Sequence, residues 1–444
     1  MSMKRYVVIM LLLMVSMIAC QRDMQTDISQ MQVEQLYPYA ISEEQALVRL
    51  NEFLQAWDGD ETRASQRVVK SISSINCDDV IPSTRSTDLN LDIDDLLYVV
   101  EFEDGKGSAV IGADTRVESV YAVLDETVLS AADFERAVNS PNADDLSTQI
   151  AATILVSALT DAAAGTYDFR PDEDLETDFT IRFSRTTIQE QVLPLLTTKW
   201  GQDTPYNEGF PFVPGSDTGS RQPAGCATIA VAQVINNQMS PSQININGHA
   251  HDLNIISQFT FDSNITDSFD KACLATFIYD IAMELDVEYD NRDPNNPQTT
   301  SNIYKARSLL SSLGFNNARV NSFDSDRVVD MLNDNNPMYV RGSNVDDSGH
   351  AWVIDGWKEV RTDIIERVTR IGEGTTESIV ETTIYSYVHC NFGWAGKCDG
   401  YYKFGIFDPV HIRRSDEVEL SYGDILYQFD YTFVSDLKML TYDN

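Results

Sequence analysis

Apolar residues recur along this chain at two periods, and the changes between them outline its elements. Ala46, Leu47, Leu50, Phe53 and Leu54 fall on one helical face. Ser42 with Gln45 three residues on makes a capping box at the start of that helix. Residues 58–90 are polar and irregular. Apolar, β-rich runs follow at Leu96 to Phe102, at Ser108 to Gly112 after an Asp104-Gly105-Lys106-Gly107 turn, and at Val117 to Leu124. Helical periodicity returns over 131–164, with Leu146, Ile150, Ile154 and Leu155 as core positions. A small α+β unit ending near 165 is predicted. An acidic, Pro-containing stretch from Tyr167 to Asp174 links it to a second unit. There the pattern predicts helices at 187–197, 226–238, 270–285 and 302–313. Strands are predicted at Met338–Gly342, Ala351–Gly356, Thr362–Arg370, Ser378–Asn391, Tyr401–Phe404 and Tyr427–Val434. Helices first and antiparallel strands after them are an α+β order. Asp290 to Pro297 reads as a surface loop.

The 444 residues exceed one ordinary domain, and 43% hydrophobic content is enough to build cores. Acidic residues outnumber basic ones 69 to 32, for a net charge of −37. Phosphate backbones would repel such a chain, so nucleic acid is excluded as a partner. The acid is spread along the sequence as a solvated surface.

The N-terminus changes the picture. Lys4 and Arg5 precede an apolar run from Tyr6 to Ile18, too short to span a bilayer, and Ala19-Cys20 follows. This is an export signal, and its end resembles a bacterial lipoprotein signal in which Cys20 becomes the lipidated N-terminus. Met17 stands where Leu is usual, and an ordinary cleaved signal with an incidental Cys20 is the alternative. The expected layout is a signal over 1–20, a polar tether over 21–37, a first domain over 38–180 and a second over 181–444. Contact with a membrane is expected only through a lipid on Cys20. The other cysteines (Cys77, Cys226, Cys273, Cys390 and Cys398) show neither the dense framework of a disulfide-built exported protein nor zinc-ribbon spacing.

Cys226 follows Pro223 and Gly225 and opens an Ala-rich helical run. A sulfur at a helix N-terminus faces unpaired N–H groups and the positive end of the dipole, which lowers a thiol pKa and favours the nucleophilic thiolate. A buried structural cysteine is the plainer reading. His350, after Gly349, opens the apolar strand Ala351 to Gly356, where a base could be held rigidly. Asn391 closes a later strand and could bond the far ring nitrogen of His350, with Trp394 shielding that bond. On these residues alone, a strand ending in a Gly-rich turn fits as well. Alternation puts Cys390 on the opposite face from Asn391. Gln202, in Trp200-Gly201-Gln202, could supply an amide N–H to an oxyanion beside the Cys226 N–H. His249 and His251 could share a metal, but no third ligand stands out, and a loop with two exposed histidines is the better reading. Asp346 and Asp347 read as solvated loop acids.

Taken in order, five blocks resemble the motifs of the streptopain family. They are Trp200-x-Gln202-x-x-Pro205-Tyr206-Asn207, Gly225-Cys226-Ala227-Thr228, Gly349-His350-Ala351-Trp352 with Val353-Ile354-Asp355-Gly356, His389-x-Asn391-Phe392-Gly393-Trp394, and Asp399-Gly400-Tyr401-Tyr402. The first domain resembles that family's inhibitory pro-domain through the Ser42 helix and the blocks Leu97 to Gly105 and Val110 to Asp114. The resemblance implies a papain-like fold behind a small α+β pro-domain and an endopeptidase made as a zymogen. It also implies protein or peptide substrates, a bulky apolar residue two positions before the cut, and no cofactor or metal. It puts the nucleophile on Cys226, the base on His350 and the oxyanion donor on Gln202, with Asn391 and Trp394 in the supporting block. There Phe392 replaces a Trp and Ala395 a Gly. The stretch between Lys358 and Glu381 is longer than the family pattern, as a surface insertion would be. The alternatives are a papain-like cell-wall amidase and a catalytically silent surface-binding lipoprotein.

Overall fold

The structure, a computed structural model, describes residues 39–58, 67–80, 93–139, 145–164, 179–216, 219–261, 265–292, 297–343, 349–370, 374–407 and 435–443. The signal and tether with Cys20, the Tyr167–Asp174 link, Asp346 and Asp347, and the strand foreseen at Tyr427–Val434 lie outside the described residues.

The first half holds helix α1 (Glu43–Asp58), strands β1 (Val69–Asn76), β2 (Asp95–Phe102), β3 (Ser108–Gly112) and β4 (Val120–Leu124), and helices α2 (Ala131–Asn139) and α3 (Leu146–Ala164). Next come β5 (Phe179–Val192), α4 (Cys226–Met239), β6 (Gln243–Ile246), β7 (His249–Asp252), α5 (Ser268–Glu284), β8 (Glu288–Asp290), β9 (Gln298–Thr300), α6 (Ile303–Ser312), β10 (Asn316–Ser322) and α7 (Ser325–Asn333). The chain ends in β11 (Met338–Ser343), β12 (Gly349–Arg370), β13 (Gly374–Asn391), β14 (Gly400–Lys403) and β15 (Ser435–Asp443). The fold is α+β, as the order of patterns predicted.

The capping box forms at α1: Ser42 N–H donates to Gln45 Oε1 at 3.0 Å, and Gln45 N–H to Ser42 Oγ at 3.3 Å. Asp267, Asn302 and Asp324 cap α5, α6 and α7 by accepting N–H bonds from the first turn. Helix α3 is apolar enough over Leu146–Ala163 to cross a membrane by length and composition, yet 89% of that window is buried inside the protein. It is a core helix all round.

One antiparallel sheet runs through the molecule in the order β1-β2-β3-β4-β14-β13-β12-β11-β15-β10, with β5 joined to β12 beside this path. The junction between the halves is β4 on β14, where Gly400 to Tyr402 face Leu124 to Ala122. Beneath it a single apolar cluster extends from Leu97, Leu124 and Ile154 to Ile229, Trp352 and Phe392. The two halves therefore share a sheet and a core. The boundary expected at 180/181 falls inside β5.

Three expectations change. The helix foreseen at 187–197 is strand β5 up to Val192, because the second half of β12 offers an open edge along which Val192 to Phe179 pair with Trp357 to Thr369. Its Thr186, Thr187 and Ile188 suit a strand, and tertiary pairing overrides the helical spacing. Residues 58–90 contain β1, an edge strand exposed over most of its length, which therefore carries no clear alternation. The strands foreseen at 351–356 and 362–370 are one strand, β12, of 22 residues. The stretch longer than the family pattern forms the outer parts of β12 and β13, and β5 adds a third strand to this arm.

On the other face of the first-half strands, α1 lays Leu50, Phe53, Leu54 and Trp57 against Tyr98, Val100, Tyr387 and Tyr401. Trp57 stacks on Phe53 at 4.8 Å and meets the rings of Tyr387 and Tyr401 edge-on at 5.2 and 4.8 Å. Lys358 Nζ sits 4.2 Å over the Trp57 ring and donates to the Trp57 carbonyl at 3.2 Å. Trp57→Ala should cost about 3–5 kcal/mol in chemical denaturation. A loss within experimental error of zero would show that α1 is not held by this ring.

Candidate active site

Cys226 is the first residue of α4, and the chain reaches it through a turn that only glycine makes without strain. Gly225 has φ +88°, and a Cβ there would come within 3.1 Å of the Thr299 side chain on β9. Gln222 and Thr299 hold this turn against the β8–β9 region, Gln222 Nε2 donating to Asn291 Oδ1 at 2.7 Å. The thiol is half-buried at the helix tip, among the N–H groups of Ala227 and Ala351.

His350 comes from the start of β12, opposite Gly342 of β11. Gly349 is needed before it, since a Cβ would lie 2.5 Å from the Gly342 carbonyl oxygen. The ring is buried between Trp352, which lies nearly parallel to it at 6.4 Å, Phe392 at 5.9 Å and Trp394 at 6.4 Å. Its Nε2 donates to the Phe392 carbonyl at 3.0 Å. A carbonyl only accepts, so Nε2 carries the proton of the neutral ring and Nδ1 is the basic nitrogen left for the sulfur. Burial pushes the Cys226 thiol up. The charge and hydrogen bond of His350, with the N–H groups of Ala351 and Ala227, outweigh burial and hold it below its ordinary value.

Gln202 is brought alongside by its own backbone, its carbonyl accepting from Ala224 N–H at 2.9 Å, two residues before the nucleophile. Its half-buried side chain makes no hydrogen bond among the described residues. The amide is uncommitted, as an oxyanion donor must be before substrate arrives.

Asn391 departs from its expected role. Its side-chain hydrogen bonds do not go to His350. Nδ2 donates to the Thr198 carbonyl at 2.8 Å, and Oδ1 accepts from Gln233 Nε2 at 3.0 Å and from Gly393 N–H at 3.1 Å. The His350 ring is held by the next residue's carbonyl, because the turn at Phe392-Gly393 brings that oxygen to the ring first. Trp394 thus has no Asn391–His350 bond to shield. It lies against the ring with 37% of its surface exposed, while buried Trp352 and Phe392 close the inner side. Asp399 was noticed only as part of a motif. Its Oδ1 accepts from Phe392 N–H at 2.9 Å, and burial first, then the charges of Asp355 and Asp125, push its carboxyl up to about 7. Gln233 was not singled out. Its signal was a polar side chain two helical turns after Cys226, on the same face of an otherwise apolar run.

Cys390 is buried, and Cys77, Cys226, Cys273, Cys390 and Cys398 are free thiols. His249 and His251 are not a loop pair. They lie on β7, with His249 exposed and His251 buried, and both bond buried Asp280 of α5 at 2.9 Å. The carboxylate clamps the β6–β7 hairpin to the helix.

A second ionic centre joins the halves behind the site. His389 bonds Asp355 Oδ1 at 2.6 Å through Nδ1 and Asp125 Oδ2 at 3.3 Å through Nε2. Burial disfavours the charged ring, but the Asp355 charge and the bonds to both carboxylates raise its pKa to about 10. Asp125 follows β4, and its neighbours hold the loop after Trp394. Cys398 N–H donates to Thr127 Oγ1 at 2.7 Å, Asp125 N–H to the Asp399 carbonyl at 3.1 Å, and Lys397 Nζ pairs with Asp145 at 2.5 Å.

The model of the peptidase C10 family matches residues 200–402, which contain all five candidate residues. Among curated proteins nothing matches. Among solved structures, a fragment of prointerpain A from Prevotella intermedia is similar at 21% identity and a TM-score of 0.46, covering 79% of this chain and 96% of that one. The active wild-type interpain A cysteine protease of the same organism is similar at 22% identity and a TM-score of 0.35, covering 57% of this chain and 96% of that one.

Two outcomes follow from the charges. His350→Ala removes the ring whose charge and hydrogen bond hold down the thiol pKa of Cys226, so its alkylation by iodoacetamide at pH 6.5 should slow by about tenfold or more. An unchanged rate would mean that the sulfur is not activated by the ring. The raised His389 pKa stabilises the fold fully below the unfolded value of 6.5, and that stabilisation is lost as pH rises through about 10. Asp125→Asn should flatten the fall in stability across this window in urea titrations at several pH values, and an unaltered slope would discount the pairing.

Proposed function

We propose that this chain, a cysteine peptidase that over residues 200–402 belongs to the peptidase C10 family, is an exported endopeptidase made as a zymogen. One observation carries the reading: the Cys226 thiol at the tip of α4 is hydrogen-bonded to His350, whose far nitrogen is pinned by the Phe392 carbonyl.

Reaction at this pair begins with the Cys226 thiolate attacking a peptide carbonyl carbon. A C–S bond forms, and the carbonyl oxygen takes up the displaced electron pair. The Cys226 N–H and the Gln202 amide receive that oxyanion, each such donor lowering the barrier by about 3 kcal/mol. The C–N bond then breaks as His350 Nδ1 gives its proton to the leaving amine, and a thioester remains. Water attacks the thioester, its proton passes to His350, and the C–S bond breaks to return the thiolate and a carboxylate product. The buried rings of Trp352 and Phe392 keep water from the inner side of the imidazole, while exposed Trp394 borders the substrate side.

The zymogen reading draws on the contacts of Asp125, Thr127, Asp145 and Ser147 with the loop from Trp394 to Asp399. Those residues belong to the first half and grip a segment that carries one wall of the His350 pocket. Removal of the first half would free it. We place the processing cut in the linker, upstream of Phe179. From Phe179 onward the chain is laddered to β12, and a peptidase needs an extended, unpaired segment. The bulky apolar preference two positions before the cut follows from the streptopain resemblance. Export and a lipid on Cys20 draw on Lys4, Arg5, the apolar run to Ile18 and the position of Cys20.

Cys226→Ala against wild type tests the whole reading. Wild type should shorten itself, cleave casein and prefer large apolar residues two positions before the cut in a peptide series. The variant should stay full length and leave casein intact, and mass spectrometry of its N-terminus should find an acylated Cys20. Casein cleavage by the Cys226→Ala variant would refute the nucleophile, and an unmodified N-terminus downstream of Cys20 would refute the anchor.

A further inference from the structure

The ring of His350 is held by a peptide carbonyl, and a peptide can swing. What holds the peptide is therefore part of the catalytic geometry. The Phe392–Gly393 peptide offers its oxygen to His350 Nε2 at 3.0 Å, and its N–H, on Gly393, donates to Asn391 Oδ1 at 3.1 Å. Asn391 is itself held by the Thr198 carbonyl at 2.8 Å and by Gln233 Nε2 at 3.0 Å. Gln233 Oε1 accepts from Thr198 Oγ1 at 2.8 Å and faces Trp200 N–H at 3.5 Å.

The orientations of both amides are decided by groups that have only one role. Trp200 N–H and Gly393 N–H only donate, so each must face an oxygen. The Thr198 carbonyl only accepts, so Asn391 must turn its nitrogen there. Gln233 is then left with its nitrogen toward Asn391 Oδ1, completing the set without conflict. All of these groups are buried, and Gln233 has no exposed surface. A misdirected amide here would leave donors or acceptors unpaired in the interior, which is costly.

We infer that Gln233 is a positioning residue for the Cys226–His350 pair: through Asn391 it sets the Phe392–Gly393 peptide whose carbonyl holds the His350 ring. It lies two turns along the helix that begins at Cys226, so the same rigid element carries the nucleophile and the support of the base. It also reaches Thr198 and Trp200, and the Trp200 carbonyl accepts from Ala395 N–H at 3.1 Å. The segment leading to Gln202 and the loop of Trp394 are thereby tied to the same amide. The inference deepens the peptidase reading and rests on it for the role of His350.

The test uses two variants of the full-length chain. Gln233→Met keeps the size and removes both polar ends. Gln233→Glu keeps the shape but, when ionised, presents an acceptor to Asn391 Oδ1. Protonated, the acid can donate as the amide does. Iodoacetamide labelling of Cys226 against pH should show the low-pH limb of the profile shifted upward in Gln233→Met. In Gln233→Glu it should stay near wild type in acid and be lost as pH rises and the new carboxyl ionises. After processing in trans by wild-type protein, kcat on a peptide substrate should fall by about 10–100-fold in Gln233→Met with KM within about twofold. A labelling profile identical to wild type in both folded variants would overturn the inference. So would a loss that tracks melting temperature and is the same at every pH, which is the mark of packing alone. If wild type labels as expected but hydrolyses no peptide, the peptidase reading fails, while a shifted profile in the variants still supports the role of Gln233.

Discussion

A sulfur half-withdrawn from water ionises only if something nearby repays the lost hydration. Here burial raises the thiol pKa of Cys226, and the imidazole of His350, aided by two backbone N–H groups at the start of α4 and of β12, lowers it again. The interaction is short-ranged and directional, so it survives only while the ring keeps one rotamer and one tautomer. Much of the surrounding structure can be understood as the means of holding that ring. Three aromatic side chains leave it little room to turn. The Phe392 carbonyl assigns the proton to Nε2. Asn391 and Asp399 fix the peptides on either side of Phe392. A backbone carbonyl suits the proposed role of this ring, since it cannot donate and so never competes for the same proton.

The sheet brings these parts together over long stretches of sequence. β12 carries His350, β13 leads to Asn391 and Phe392, and the two pair directly, Val353 facing Asn391. Helix α4 packs on β11 and β12, which sets the nucleophile against the base. On the other side β14 hands the sheet on to β4 and the first half. The first half thus extends the same sheet that supports the chemistry. Any change that parts β4 from β14 would be felt at Asp399, which lies between that junction and Phe392.

Behind the ring, the charges form a chain of acid, histidine and acid, with half-buried Asp125 from one half and buried Asp355 from the other meeting on buried His389. Burying His389 and Asp355 is unfavourable unless they satisfy one another. If the first half leaves, His389 keeps Asp355 but loses Asp125, and the ring becomes easier to deprotonate. The energetic state of this centre therefore depends on whether the two halves are joined.

The helices at 226–239, 268–284 and 303–312 were legible because caps and apolar spacing are local. So was the position of Cys226 at a helix tip, since Pro223 and Gly225 can be read without any partner. Ordered motifs pointed to His350 and Gln202. What neighbours do was not legible. β5 is a strand because β12 leaves it an edge, and β1 is an edge strand too exposed to show alternation. Asn391 looked like the holder of His350, yet a turn of the backbone gave that place to the Phe392 carbonyl, and a carbonyl has no letter in a sequence. Gln233 and Asp399 matter through partners 158 and 7 residues away, and hydrogen bonds at such separations exist only after folding. Sequence by itself determined which side chains could do chemistry and where helices begin, because those depend on residue type and nearest neighbours. Tertiary structure alone decided which groups orient them, because direction and distance in a packed interior are set by the whole chain at once.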